Sequence, residues 1–277
     1  MNTKPVVTHL GSRSLDGSSS PSGHAGGDRY AAVEQYSLGR ILRAWAATAV
    51  PMGVLLWLVA PWLSDRLAGP DPFIQALLIC FAVGLVWQIA LLLILLGREQ
   101  GGLHASRIVD GLWLRAPKDP RSGRTGGKVW WWVLPFVVLS GVVNAGWIDP
   151  VGPLPRDLPK TLELARGRVE HYFHGNWSAF TLFAFVVLLA PIGEELFFRG
   201  LLLPRMRKVF GRADVVVNGA LFGVYHLHQP WSIPASVIDG IVSQAYPTRR
   251  FQSIWIAIAA HTVPSFVIIG AVVPLVL

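Results

Sequence analysis

The sequence has little cysteine and little charge, and both shortages narrow the class of protein. Cys80 is the only cysteine among 277 residues, which excludes an intrachain disulfide and a cysteine-based metal site. Charged residues make up 14% of the chain, whereas 52% of it is hydrophobic and the mean hydropathy is +0.47. The 12 tryptophans are more than a soluble domain of this size needs, and Trp favours membrane interfaces. The composition indicates a polytopic membrane protein.

Long apolar runs predict an all-α bundle of transmembrane helices. About 20 apolar residues in a helix are enough to cross the ~30 Å hydrocarbon core of a bilayer. We predict about seven spans, of which the fifth and sixth are the least sharply bounded. They lie at 41–63, 73–96, 129–147, 178–201, 213–230, 233–246 and 253–275. Residues 103–114 are expected to add a short amphipathic helix on the membrane interface.

The chain divides into a polar tail and two membrane segments. Residues 1–36 are rich in Ser, Gly, His and charge, so we expect a disordered cytoplasmic tail. The first three spans and a basic loop occupy 37–150, and the remaining spans occupy 151–277. The first apolar run starts near Ile41, which is too late for a secretory signal.

Basic residues predict the orientation of the chain. Most of the 24 Lys and Arg residues fall before the first span or in the second, fourth and sixth loops. By the positive-inside rule, the N-terminus is then cytoplasmic and the C-terminus outside. Topology and attraction to anionic lipid account for the net charge of +8. We therefore expect the lipid bilayer, and no nucleic acid, as a partner.

Two of the six glutamates, Glu194 and Glu195, stand side by side in the apolar run from 178 to 206. A carboxylate inside a bilayer costs about 2.5–3.5 kcal/mol on insertion scales, so it favours a functional interpretation. Glu195 and Arg199 are spaced i,i+4 in the order that favours an ion pair. Glu194 is rotated ~100° away and has no local cation. We predict that Glu194 is the general base and that Glu195 with Arg199 braces the fold.

Two intramembrane histidines are placed at a similar depth. Glu194, His226 and His261 lie roughly 16–21 Å along their helices from the nearest cytoplasmic basic residue, at 1.5 Å per residue. This agreement predicts that the three helices share one site. Phe222 is i,i+4 to His226, so its ring is expected to pack against the imidazole.

Two further polar residues are interpreted structurally. His228 follows His226 by two positions, so we expect the two rings to point in different directions and not to clamp a metal. Asp239 lies in a weakly apolar span, and we expect it to hydrogen-bond a neighbouring helix or loop.

Three short motifs resemble the CPBP family of intramembrane proteases, also called the abortive-infection or CAAX-protease-like family, which includes the type II CAAX prenyl proteases. GEELFFRG carries E-E-x-x-x-R, LFGVYH carries F-x-x-x-H, and a third histidine follows in IWIAIAAHTVPS. The likeness covers about 178–270. It implies a helical catalytic core within 151–277, open toward the cytoplasmic side, and hydrolysis of a peptide bond. By position, Glu194 and His226 would activate water and His261 would help to stabilise the oxyanion.

Ser265 departs from the family pattern, which places Asn or Asp four residues after the last histidine. A serine hydroxyl can still donate one hydrogen bond to an oxyanion, but it is shorter than an amide. This departure keeps a second interpretation open, in which the chain is a catalytically silent scaffold or immunity factor of the same fold. A proton-coupled transporter ranks third, because the sequence has no evident repeat.

The sequence requires no cofactor. Zinc held by Glu194, His226 and His261 is an alternative, but H-E-x-x-H is missing and Glu194 can act as base only if it is not a ligand. G-x-S-G and G-x-G-D elements of serine and aspartyl intramembrane proteases are also missing. We therefore favour a metal-free glutamate-type hydrolase acting on a membrane-embedded or lipidated protein or peptide.

Overall fold

The computed structural model describes residues 33–144 and 168–277, together with Met1. The described residues form helices and no strand, with one isolated bridge between Lys118 and Thr125. Five helices are long and apolar enough to cross a membrane. They are α1 (Leu38–Ser64), α2 (Pro72–Gln100), α4 (Gly127–Asn144), α5 (Trp177–Arg205) and α9 (Trp255–Val276). The predicted all-α membrane bundle is confirmed.

The predicted fifth and sixth spans form shorter helices, so five and not seven described segments meet these criteria. The region of the predicted fifth and sixth spans contains α6 (Asp214–Tyr225), α7 (Ile233–Asp239) and α8 (Tyr246–Phe251). A fourth short helix, α3 (Ala105–Gly111), follows α2. The 12 residues of α6 extend roughly 18 Å, which is short of a ~30 Å core. Segment 233–251 is too polar to count as a membrane span, because it carries Asp239, Gln244 and two arginines.

Within the described ranges, three helical segments are wound as π-helix. They are Leu55–Val59 within α1, Leu196–Leu202 within α5, and Gly240–Ala245, which joins α7 to α8. Single π turns inside α-helices are frequent at functional sites. The second one begins directly after Glu195, so the double glutamate lies where α5 changes its winding.

Glycines bring α6 into close contact with α7 and with the π segment Gly240–Ala245 that follows it. A Cβ added at Gly219 would lie 2.8 Å from the backbone nitrogen of Ile241, and one at Gly223 would lie 3.0 Å from that of Val237. Small residues spaced i,i+4 allow such backbone approach between membrane helices. This contact fixes the position of the two helices that flank the site.

The end of the predicted tail belongs to the bundle. Tyr36 is buried, and its backbone N–H donates to the carbonyl oxygen of Arg205 at 3.0 Å. The described residues from Val33 onward belong to one compact unit. The prediction of a disordered tail over 1–36 is therefore wrong for 33–36, because Tyr36 anchors this stretch. Residues 2–32 and the predicted boundary at 150/151 lie outside the described residues.

The helix predicted at 103–114 is shorter in the structure. It covers Ala105–Gly111, after which Leu112 and Trp113 turn inward and are buried. Trp113 adopts a positive φ of 54°, which breaks the helix there. The basic loop after it leads into α4.

Candidate active site

The two glutamates are buried at the end of the α-helical part of α5. Glu195 is 0% exposed, and its Oε1 lies 3.2 Å from Nη1 of Arg199, so the predicted ion pair is confirmed. The same Oε1 also lies 3.0 Å from Nδ1 of His261. Glu195 therefore links an arginine to a site histidine, a second contact that its spacing in the sequence did not indicate.

Glu194 faces the other nitrogen of the same imidazole. Its Oε2 lies 3.9 Å from Nε2 of His261, which is longer than a hydrogen bond. The side chain of His261 is 23% exposed and that of Glu194 is 8% exposed. The ring of His261 thus lies between both carboxylates, at 3.0 Å from Glu195 and 3.9 Å from Glu194, and its side chain is partly exposed.

His226 is held by the helix that precedes it. Helix α6 ends at Tyr225, and Nδ1 of His226 lies 2.9 Å from the backbone carbonyl oxygen of Phe222. Because a carbonyl oxygen only accepts, Nδ1 carries the hydrogen, and Nε2 of the neutral ring is left as an acceptor. This contact assigns the tautomer that can take a proton from water.

Phe222 connects the two histidines. Its ring centroid lies 4.7 Å from that of His226 and 6.0 Å from that of His261, both in edge contacts. The predicted packing of Phe222 on His226 is confirmed. The guanidinium of Arg199 lies 4.1 Å from the centroid of the same ring, a cation–π contact that stabilises its charge away from water.

His228 lies close to His226, contrary to expectation. Their ring centroids are 5.5 Å apart with an angle of 31° between the planes. The expectation assumed a continuous α-helix, but His226–His228 form a 3-10 turn that rotates the second ring back toward the first. His228 also contacts the ring of Phe81 at 5.2 Å, which attaches this turn to α2.

Asp239 has the structural surroundings that the sequence predicted. Its Oδ2 accepts hydrogen bonds from Ser140 at 3.1 Å, Asn144 at 3.2 Å and Gln244 at 2.9 Å. Asp239 thus joins α4 to the π segment that follows α7.

Ser265 makes its hydrogen bond within α9. Its hydroxyl donates to the backbone carbonyl oxygen of His261 at 3.3 Å. The hydroxyl is therefore engaged one helical turn below the imidazole. It would have to rotate in order to donate to an oxyanion.

Two buried polar residues near the site were missed by sequence reasoning. Gln88 of α2 is fully buried beside Gly193, and its amide atoms have no hydrogen-bond partner among the described residues. Tyr225 is 2% exposed, its hydroxyl is also without a partner in that set, and its ring lies 5.3 Å from that of His226. Gln88 could have been found as a polar residue inside an apolar run. Tyr225 carried no signal beyond its place next to His226.

Among the residues that the structure describes, no group of three or more His, Cys, Asp or Glu side chains is arranged to hold a metal ion. Nδ1 of each site histidine has a protein partner, so Nε2 is the ring nitrogen left for a water or a substrate.

Comparison with known proteins links this geometry to a family. A protein-family model described as "Type II CAAX prenyl endopeptidase Rce1-like" matches residues 176–267. Searches of curated proteins and of solved structures found no match. The matched region contains the site residues Glu194, Glu195, Arg199, Phe222, His226, His261 and Ser265. Residues 176–267 are thus similar to the CAAX-protease-like family, and the five apolar helices show an integral membrane protein.

Proposed function

We propose that the protein is an intramembrane endopeptidase that hydrolyses a peptide bond of a membrane-tethered protein. One observation carries the proposal. Glu194, buried in α5, faces Nε2 of His261 while Glu195 holds Nδ1 of the same ring at 3.0 Å. A carboxylate beside a positioned imidazole can move a proton to or from a reacting water.

The water in this scheme is activated by Glu194 and His226. Glu194 takes one proton as the water oxygen attacks the carbonyl carbon of the scissile bond. Nε2 of His226, left as an acceptor by the contact of Nδ1 with Phe222, accepts the second water hydrogen and orients the oxygen. Glu194 then delivers its proton to the amine nitrogen as the C–N bond breaks. The products are one carboxyl and one amino terminus.

His261 is assigned to the developing oxyanion. A ring protonated on both nitrogens donates Nε2–H to the oxyanion while Nδ1–H stays on Glu195. The contact with Glu195 keeps the ring plane fixed, so the donor is positioned before the charge develops. Ser265 can add a second hydrogen bond after it releases the carbonyl of His261.

We propose a substrate tethered to the membrane, because the site lies between membrane helices. A prenylated C-terminus, a sorting-tail helix and a small peptide are all compatible with it. With the N-terminus cytoplasmic and the C-terminus outside, cleavage takes place near the cytoplasmic leaflet. Single cysteines introduced into the 115–128 loop of a Cys80→Ser chain should react with an impermeant thiol reagent only from the cytoplasmic side.

The test compares host membranes that carry the wild type or Glu194→Gln, by proteomics of protein termini. New N- or C-termini that arise with the wild type alone would support the protease and name its substrate. Identical termini in both membranes would instead support the alternative of a catalytically silent scaffold or immunity factor. Glu194 and Glu195 would then have a structural role.

A further inference from the structure

A second cavity lies apart from the glutamates and histidines. It has a volume of about 630 Å³ and opens between α4, α6 and the Gly240–Ala245 segment with α8. Its walls are apolar and aromatic side chains from these elements, mainly Phe136, Leu139, Val216, Ile241, Val242 and Tyr246. Val216 is 53% exposed and Tyr246 is 47% exposed, so the cavity is a groove on the lateral surface of the bundle.

One end of the groove is basic. Arg207, Arg212 and Arg249 line it together with a single carboxylate, that of Asp214. Asp214 is fully buried, forms an ion pair with Arg249, and has its Oδ2 3.6 Å from Nη1 of Arg207. Arg212 is exposed and makes no ion pair within the described ranges. Three guanidinium groups against one carboxylate leave an excess of positive charge.

The basic end lies where the helices leave the membrane. Arg207 lies two residues after Arg205, the last residue of α5, and Arg249 is in the last turn of α8. The apolar walls extend from this end along α4 and α6. The groove is therefore amphipathic along its length, with positive charge at the membrane surface and apolar walls below it.

We propose that this groove binds one anionic phospholipid. Its phosphate would lie between Arg207 and Arg212, whose guanidinium groups can bind phosphate oxygens in pairs, and one acyl chain would lie along Leu139, Val216 and Val242. Basic pockets between membrane helices bind anionic headgroups in this way. A small soluble anion would not use the apolar walls, and a neutral lipid would not use the arginines.

The site has a structural connection to the candidate active site. The π segment that supplies Ile241 and Val242 to the groove begins at Gly240, and the carbonyl oxygen of Gly240 accepts from Nη2 of Arg199 at 3.3 Å. A lipid in the groove thus packs on the segment that holds the arginine of the Glu195 pair. The binding proposal is independent of whether the protein cleaves a substrate.

The first experiment measures lipid binding to the purified full-length protein by native mass spectrometry. Dioleoyl phosphatidylglycerol is titrated against dioleoyl phosphatidylcholine. The wild type should retain one phosphatidylglycerol in preference, and Arg207→Gln/Arg212→Gln should weaken it about 25-fold, because each basic residue near anionic lipid contributes about fivefold. The matched control, Arg121→Gln/Arg124→Gln in an exposed loop, should change it less than twofold. Equal losses in both variants, or equal retention of the two lipids by the wild type, would overturn the proposal.

A steric variant tests the acyl-chain half of the site without changing the charge. Val216→Trp fills the groove from an exposed position, so the fold should tolerate it. It should reduce phosphatidylglycerol retention at least fivefold. Val138→Trp is the matched control, since Val138 is 64% exposed and lies outside the groove. Unchanged retention with Val216→Trp, or the same loss with Val138→Trp, would contradict the assignment.

Discussion

Helix α5 contributes to two buried arginine–carboxylate pairs that differ in how many of their polar atoms make hydrogen bonds. In one, Arg205 uses every nitrogen: Nε and Nη2 donate to Glu99 at 2.8 Å each, and Nη1 donates to the carbonyl oxygens of Leu201 and Gly111. Tyr36 donates its hydroxyl to the same carboxylate at 2.8 Å. This cluster leaves no nitrogen of the arginine unused, which is typical of a structural anchor.

The other pair, Arg199 with Glu195, is incompletely satisfied. Nε and Nη1 of Arg199 and Oε2 of Glu195 make no hydrogen bond with the described residues. Both side chains are 0% exposed. Buried polar atoms that stay unsatisfied call for an explanation, and catalysis is one of the accepted ones. Burial of the charges is therefore common to both pairs, and they differ in how completely their polar atoms are hydrogen-bonded within the described residues.

The largest effect is expected from Glu194→Gln. The substitution keeps the size of the side chain but removes the base, so turnover should fall by about 10²–10⁴-fold or more. The melting temperature in detergent should stay within about 2 °C of the wild type, as Glu194 makes no close ion pair. Peptide cleavage and a thermal melt on the same preparation measure both quantities. A fully active variant would remove Glu194 from the mechanism.

Glu99→Gln should give the opposite result. Breaking the pair leaves Arg205 buried without its counter-ion, which costs about 3–5 kcal/mol of folding free energy. The melting temperature should drop sharply, while turnover per folded molecule stays near that of the wild type. If Glu99→Gln kept the wild-type melting temperature and lowered turnover as much as Glu194→Gln, the distinction between the anchor pair and the site pair would be wrong.

The effects of Glu195→Gln on turnover and on stability should be intermediate between those of Glu194→Gln and Glu99→Gln. The variant unpairs Arg199 and also weakens the contact with Nδ1 of His261, so both stability and turnover should decrease. We expect turnover to fall about 10–100-fold, the range for a partner that orients a catalytic imidazole. Lost turnover at an unchanged melting temperature would show that Glu195 serves the chemistry and not the fold.

Gly219→Ala tests the glycine contact that supports this region. The added methyl group would meet the backbone of Ile241, so we expect a loss of about 1–3 kcal/mol. Gly270→Ala in α9 is the matched control, because nothing lies within 4 Å of its added Cβ. Chemical or thermal unfolding of both variants should show a loss for Gly219→Ala alone.

The smallest effect concerns an arginine–carboxylate pair that lies at the surface. Arg168 donates to Asp71 at 2.6 and 2.9 Å and holds the pKa of that carboxyl below its usual value. A lowered folded-state pKa contributes stability above the unfolded value of about 3.9, and that contribution is lost as pH falls through the folded value. Because the side chain of Arg168 is 56% exposed, Asp71→Asn should cost about 1 kcal/mol or less at pH 7.

The melting temperatures of Asp71→Asn and the wild type should therefore converge as the medium is made acidic. A difference that persists unchanged below pH 3 would mean that the variant acts through packing or through the cap that Asp71 provides to Ile74.

Hydropathy predicted the long helices because spanning requires a long apolar run. The predicted 41–63 became Leu38–Ser64, and the predicted 73–96 became Pro72–Gln100. The residues added at the N-terminal ends follow polar caps, since Ser37 and Asp71 each accept a backbone N–H of the first turn. The local i,i+4 contacts, Glu195 with Arg199 and Phe222 with His226, were also predictable.

The remaining features depend on contacts that are distant in sequence. No periodic signal marks the π segments or the 3-10 turn that brings His228 to His226. The contact of Glu195 with His261 spans 66 residues and depends on the packing of α5 against α9. The predicted roles of Glu194, His226 and His261 in catalysis remain predictions.

The most direct measurement uses one membrane-tethered substrate that terminal proteomics has identified. Its turnover is measured in liposomes with purified wild type, Glu194→Gln and Glu99→Gln, and a thermal melt is recorded for each protein. The account predicts that Glu194→Gln is folded but inactive, and that Glu99→Gln is destabilised but active per folded molecule. Turnover by Glu194→Gln equal to that of the wild type would contradict the assignment of the incompletely satisfied cluster as the active site.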